Sequence, residues 1–161
     1  MKKAIIGTIA GLGLAGALAI GWSLQADDKA AAEADMKVFK TETCGCCGDW
    51  VDHMERVGFD IEAIDVTDLN AVKHEYGIHP QLQSCHTGVM DGYIFEGHIP
   101  GKVIQAFLDN PPAGAKGLAA PGMPMGSPGM EMGKFVPYNV LLVKNDGSTS
   151  IFQRITSPDY E

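Results

Sequence analysis

The chain has 161 residues, enough for one domain with a modest core, and its 45% hydrophobic and 20% charged residues are ordinary for a globular protein. Its formal net charge is −8, and removal of the basic N-terminal residues would make it more acidic, which argues against nucleic acid as a partner. The acidity suits a soluble protein and mildly favours cations without specifying one.

Lys2 and Lys3 form a short basic region, followed by an almost uninterrupted apolar run from Ala4 to about Leu24 and an abrupt polar shift at Gln25-Ala26-Asp27-Asp28. This pattern reads as an export signal, with Ala26 as the small residue before a cut and Leu24 a mediocre partner for it. The run is also long enough to span a bilayer, which takes ~20 residues. Residues 1–26 are therefore expected to be a cleaved signal peptide or a retained membrane anchor. The run lacks the polar face of a helix packed on a core. Either outcome places the rest of the chain outside the cytoplasm, in the periplasm, with membrane contact only if the segment is retained. No cysteine stands near the junction to carry a lipid.

Residues 27–35 are small and charged and read as a linker, with the folded domain expected over 36–161. Met36 to Lys40 reads as a strand, and Thr41 to Gly48 as a loop holding three cysteines. A helix should follow, with Trp50, Val51, Met54 and Val57 on one face and Gly58 ending it. Phe59 to Val66 reads as a second strand. Thr67 is placed to cap a second helix, with Leu69, Val72 and Tyr76 inward and Gly77 as its stop. After a loop through His79-Pro80, Cys85 introduces a hairpin: strands His86 to Met90 and Tyr93 to Gly97 around Asp91-Gly92. Pro100 opens a third helix with Val103, Ile104, Phe107 and Leu108 inward, ended by Pro111-Pro112. Residues 113–133, rich in Gly, Pro and Met, read as a long irregular loop. A C-terminal hairpin, Asn139 to Val143 and Thr149 to Ile155, closes the chain. A single helical crossover implies a parallel pair and the hairpin an antiparallel one. The resulting fold is α/β and thioredoxin-like: a mixed sheet with flanking helices. In that arrangement the start of the first helix and the loop before the third strand lie together, so Cys44, Cys46, Cys47 and Cys85 are expected to converge.

Three thiols within four residues, Cys44-Gly45-Cys46-Cys47, carry the chemistry. Cys47 near a helix start would favour the thiolate, the form that binds metals and attacks disulfides. Three readings stand side by side: a metal site, a redox pair, and structural disulfides such as an oxidising envelope permits. Neighbouring Cys46 and Cys47 would pair with each other only under strain. For a metal, thiolates select Cu(I) or zinc. Structural zinc uses two separated ligand pairs, as in C-x-x-C plus C-x-x-C, whereas crowded thiols suit several Cu(I) ions bridged by shared sulfurs.

Met123, Met125, Met130 and Met132 lie in a stretch whose glycines and prolines forbid a long helix, so these thioethers read as copper contacts, with a packing lid as the alternative. His86 and His98 are candidates for a Cu(II) or open copper position, with hydrogen-bonded structural histidines as the alternative. His53, His74 and His79 read as structural, the first two facing solvent on helices.

Several motifs then occur in order: Cys44-Gly45-Cys46-Cys47-Gly48, Leu82-Gln83-Ser84-Cys85-His86-Thr87, Glu96-Gly97-His98-Ile99-Pro100, Lys116-Gly117-Leu118 running into Pro121-Gly122-Met123-Pro124, and Gly126-Ser127-Pro128-Gly129-Met130-Glu131. In these the chain resembles the CopG-type family of bacterial envelope copper-resistance and predicted metal-binding proteins, over essentially the whole exported part. The resemblance implies a thioredoxin-like fold, a copper site made by the four cysteines, a role in copper resistance, and interconversion of Cu(I) and Cu(II). It makes copper ions and other envelope copper-handling proteins the expected partners. The competing function is a thiol-disulfide oxidoreductase using Cys44 and Cys47. Against it, Cys46 offers a competing sulfur, and Cys85 stands where such enzymes have a proline. A zinc-stabilised interaction module is the third reading.

Overall fold

A computed structural model describes residues 34–159, all within the compact unit Glu33–Glu161. The expected signal or anchor segment, and nearly all of the linker, lie outside the described residues. Among the described residues no helix is long and apolar enough to cross a membrane.

The order of elements is β1 (Met36–Lys40), α1 (Gly45–Val57), β2 (Ile61–Asp65), α2 (Leu69–Glu75), β3 (Thr87–Met90), β4 (Tyr93–Glu96), α3 (Gly101–Asp109), β5 (Ala115–Ala119), β6 (Tyr138–Lys144) and β7 (Thr149–Ile155). The strands make one seven-stranded mixed sheet in the order β2-β1-β3-β4-β5-β6-β7. β1 runs parallel to β2 and antiparallel to β3, so the first four strands carry the expected topology. The C-terminal hairpin extends that sheet through β5 rather than standing apart.

β1 alternates as a half-covered strand should. Met36 and Val38 enter the core, while Phe39 stacks on Tyr76 just beyond α2, with ring centroids 5.8 Å apart. The core is filled from α1 by Trp50, Val51 and Met54, from α3 by Val103, Ile104 and Phe107, and from the sheet by Phe95, Leu118, Val140 and Leu142. Phe107 lies at its centre, with Tyr93, Phe95 and Phe152 edge-on at centroid distances of 5.0, 5.7 and 5.8 Å. Gly58 ends α1 in the left-handed conformation at φ 105°. Asp91 and Gly92, both with positive φ, turn the β3–β4 hairpin.

Three expectations need correction. α1 begins at Gly45, so Cys46 and Cys47 occupy its first turn instead of a preceding loop. α2 is capped by the Asp68 carboxylate, which accepts from Ala71 N–H, not by Thr67. The stretch 113–133 is not wholly irregular, because Ala115–Ala119 forms β5, a central strand. Its sequence, Ala-Lys-Gly-Leu-Ala, has no β-branched or aromatic residue, and it is held extended by partners on both sides rather than by propensity. Gly117 allows this: at its φ of 152°, a Cβ would lie 1.9 Å from the Ile94 carbonyl oxygen.

Candidate metal centre

Cys44 is the N-cap of α1, and its backbone carbonyl accepts from Gly48 N–H. Cys85 stands just before β3, after a 3₁₀ turn at Pro80–Leu82. The first helical turn and this approach to the hairpin bring Cys44, Cys46, Cys47 and Cys85 together, their sulfurs all within 4.8 Å of one another. Cys44 and Cys47 form a disulfide, while Cys46 and Cys85 are free. Cys47 is thus not the helix-start thiolate expected from its position; its sulfur is bonded to Cys44 and fully buried. Cys46 Sγ lies 3.6 Å from Cys44 Sγ and 3.9 Å from Cys85 Sγ, midway between the disulfide and the downstream thiol.

A second group, Cys85, His86 and His98, has the same spread. His98 is buried, and its Nδ1 meets the Pro128 carbonyl oxygen at 2.7 Å. A carbonyl only accepts, so Nδ1 carries the hydrogen and the neutral ring presents a bare Nε2 lone pair. That nitrogen lies 2.7 Å from Cys85 Sγ. A ligating histidine ordinarily donates its remote N–H to such an acceptor, which fixes the tautomer. His86 is fully buried with neither ring nitrogen in a hydrogen bond of normal geometry, the Gly97 backbone giving it only a minor opposing pull. It sits between Trp50 and His98, with centroid distances of 4.3 and 4.8 Å. Buried ring nitrogens without partners are costly, about 1–3 kcal/mol each, and call for an explanation. A bound ion would supply one.

Burial sets the protonation of this region. It pushes the Cys85 thiol up to about 11, with help from neighbouring Cys46. It also holds His86 well below its ordinary value, with His98 and Lys73 adding repulsion, and lowers His98 as well. Without metal, the centre is therefore a neutral thiol facing neutral imidazoles. Cys85 belongs to both donor groups and is the sulfur best placed to be shared.

The methionine loop approaches through its backbone. Pro128 contributes the carbonyl to His98, and Gly129 packs so closely on α1 that a Cβ there would lie 2.5 Å from Cys46 O. Turn bonds such as Gly126 N–H to Met130 O hold the loop's shape. Met123, Met125 and Met132 are exposed, Met132 by 91%, and Met130 is half-buried.

His53 is a correction. It is buried, not solvent-facing, and its Nε2 accepts from Gly101 N–H at 3.0 Å, capping α3. Its position three residues after Trp50 and four before Val57 was the overlooked signal. His74 and His79 are exposed, and His79 Nδ1 accepts from Gln81 N–H. Lys73, Thr87 and Glu96, buried together beside Cys85, also escaped the sequence reading. The available signal was a glutamate inside the buried run Ile94-Phe95-Glu96.

Fold and site together define a class: a mixed α/β domain that presents a sulfur cluster and two buried imidazoles at the start of its first helix. Residues 82–130 match a family described as "Protein of unknown function, DUF411". No curated protein matches the chain. A solved structure described as "Copper resistance protein copG- Form 1" is 38% identical, covering 78% of this chain and 100% of that one at a TM-score of 0.72. "Copper resistance protein copG- Form 2" is also 38% identical, covering 75% and 97% at 0.71. The chain belongs to the family of the copper-resistance protein CopG.

Proposed function

We propose that this protein binds copper in the bacterial periplasm as part of copper resistance, holding several Cu(I) ions through Cys44, Cys46, Cys47 and Cys85. The observation that carries the reading is the convergence of four sulfurs with two buried imidazoles, one of which has no hydrogen-bond partner at either nitrogen. Full use of the sulfurs requires reduction of the Cys44–Cys47 disulfide, because thiolate is the ligating form. Thiolates suit Cu(I), and the Cys85, His86 and His98 group adds two nitrogens that Cu(II) accepts more readily. Sulfur-rich and imidazole-bearing donor sets sharing one cysteine support interconversion of Cu(I) and Cu(II) at one centre. The exposed thioethers of Met123, Met125 and Met132 would meet Cu(I) at the surface, where other envelope copper-handling proteins would deliver or collect it. Residues 1–26 would serve export, with Ala26 at the cut or the segment kept as an anchor.

Anaerobic Cu(I) titration of the reduced protein tests the reading. More than one copper bound tightly per chain is expected; one per chain contradicts the shared-thiolate centre, and none contradicts copper binding.

One observation favours a second reading. The Cys44–Cys47 disulfide at a helix start is the arrangement of a thiol-disulfide oxidoreductase. Cys46, 3.6 Å from Cys44, stands ready to compete for the same sulfur. An insulin-reduction assay run beside the titration separates the two: rapid reduction without tight copper binding would reverse the ranking.

A further inference from the structure

Glu96 ends β4 with no accessible surface, after the buried residues Ile94 and Phe95. A carboxylate there must be paired and hydrogen-bonded, and the identity of its partners is informative. Its Oε1 accepts from Lys73 Nζ at 2.5 Å and from the backbone N–H of Ser84 at 2.6 Å. Its Oε2 accepts from the Thr87 hydroxyl at 2.7 Å. Lys73 Nζ, itself buried, also donates to Thr87 Oγ1 at 3.0 Å. Ser84 and Thr87 are the residues immediately before and after the pair Cys85-His86. One carboxylate therefore grips the chain on both sides of that pair, and His98 lies two residues beyond Glu96, just past the end of β4. A second bond steadies the same turn, from Ser84 Oγ to the Gly122 carbonyl.

A buried ion pair is weak evidence for stability, since apolar residues of similar volume often hold a fold as well. What this one supplies is direction. A cysteine sulfur lies one bond beyond Cβ, so its position is set by the main chain and a single torsion. A shift of the 84–87 backbone moves Cys85 Sγ with respect to both Cys46 and His98, from which it now lies 3.9 and 2.7 Å. We infer that Lys73, Glu96 and Thr87 form a positioning clamp that holds Cys85 where it serves both donor groups at once. The inference rests on the copper reading above for its purpose, but its geometric content does not depend on that reading.

The test uses the full chain carrying Thr87→Val, which removes one hydroxyl, and in parallel the uncharged pair Lys73→Met with Glu96→Gln. Three quantities are measured. They are Cu(I) affinity in competition with a colorimetric chelator, the rate at which diamide joins Cys46 to Cys85 in copper-free protein, and the urea unfolding midpoint. A group that orients a metal ligand without touching the metal is worth about 10–100-fold in metal affinity. The clamp predicts a loss in that range for both variants, slower Cys46–Cys85 joining, and recovery of both with Thr87→Ser, which keeps the hydroxyl. Wild-type affinity and joining rate in a folded Thr87→Val variant would overturn it, as would losses that merely follow the unfolded fraction. Should the uncharged pair fail to fold, Thr87→Val against Thr87→Ser decides the matter. Should wild-type protein bind no copper, the copper reading falls, and the joining rate still decides the clamp.

Discussion

His53 and His86 are both buried, yet they stand in regions built on opposite terms. At the junction of α1 and α3, His53 Nε2 accepts from Gly101 N–H, and the neighbouring core closes around Phe107 with apolar and aromatic contacts. At the cysteine cluster, His86 is as deeply enclosed, but where His53 is held through one nitrogen His86 is held through neither, and two free thiols lie side by side. Burial alone therefore does not mark the site. An imidazole hydrogen-bonded at neither nitrogen and set beside free thiols does, because folding by itself gives no return for that combination.

If that contrast is right, substitutions at the junction should cost stability and leave copper alone, while those at the cluster should do the reverse. The largest effect is expected for Phe107→Ala, which empties the centre of the aromatic packing. It should cost about 3–5 kcal/mol in urea unfolding, with unchanged Cu(I) affinity in the protein that remains folded. Next comes Cys85→Ser, which takes away the sulfur common to both donor groups. Chelator competition should show a loss above ~100-fold, beyond what a residue that only orients a ligand supplies, with little change in the unfolding midpoint.

His86→Leu sharpens the comparison most. Removing two unpartnered nitrogens should leave the copper-free protein equally stable or more so, by up to about 1–3 kcal/mol, while lowering copper capacity. His53→Leu should instead lose about 1 kcal/mol by uncapping α3 and bind copper normally. Smallest is Asp68→Ala, which uncaps α2 at a cost of about 1 kcal/mol or less. Calorimetry of the copper-free variants reads these last three directly.

The frame around this contrast was largely legible in the sequence, although His53 itself was expected to face solvent and is buried. The inward faces of α1 and α3, the Asp91-Gly92 turn and the approach of Cys85 to the upstream cysteines all followed from periodicity, turn chemistry and topology. Three things did not. β5 was hidden because Ala115–Ala119 has poor strand formers and depends on β4 and β6 to hold it, an effect that acts across the sheet and leaves no local pattern. The pairing of Cys44 with Cys47 was one of several arrangements that spacing permits. The buried grip of Glu96 on Ser84 and Thr87 needs three segments at once, and only a charge inside an apolar run hinted that it existed. The methionines illustrate the reverse. Their loop was recognisable from composition, but it meets the cluster through the Pro128 carbonyl and the Gly129 backbone, which no composition would indicate.

The most direct test of the account is X-ray absorption at the copper edge on reduced, copper-loaded full-length protein. A first shell dominated by sulfur is expected, with a minor nitrogen component that falls in His86→Leu and is lost only when His98 is replaced as well, and a copper–copper scattering path that weakens in Cys85→Ser. A shell of nitrogen and oxygen alone, with no second copper, would contradict it.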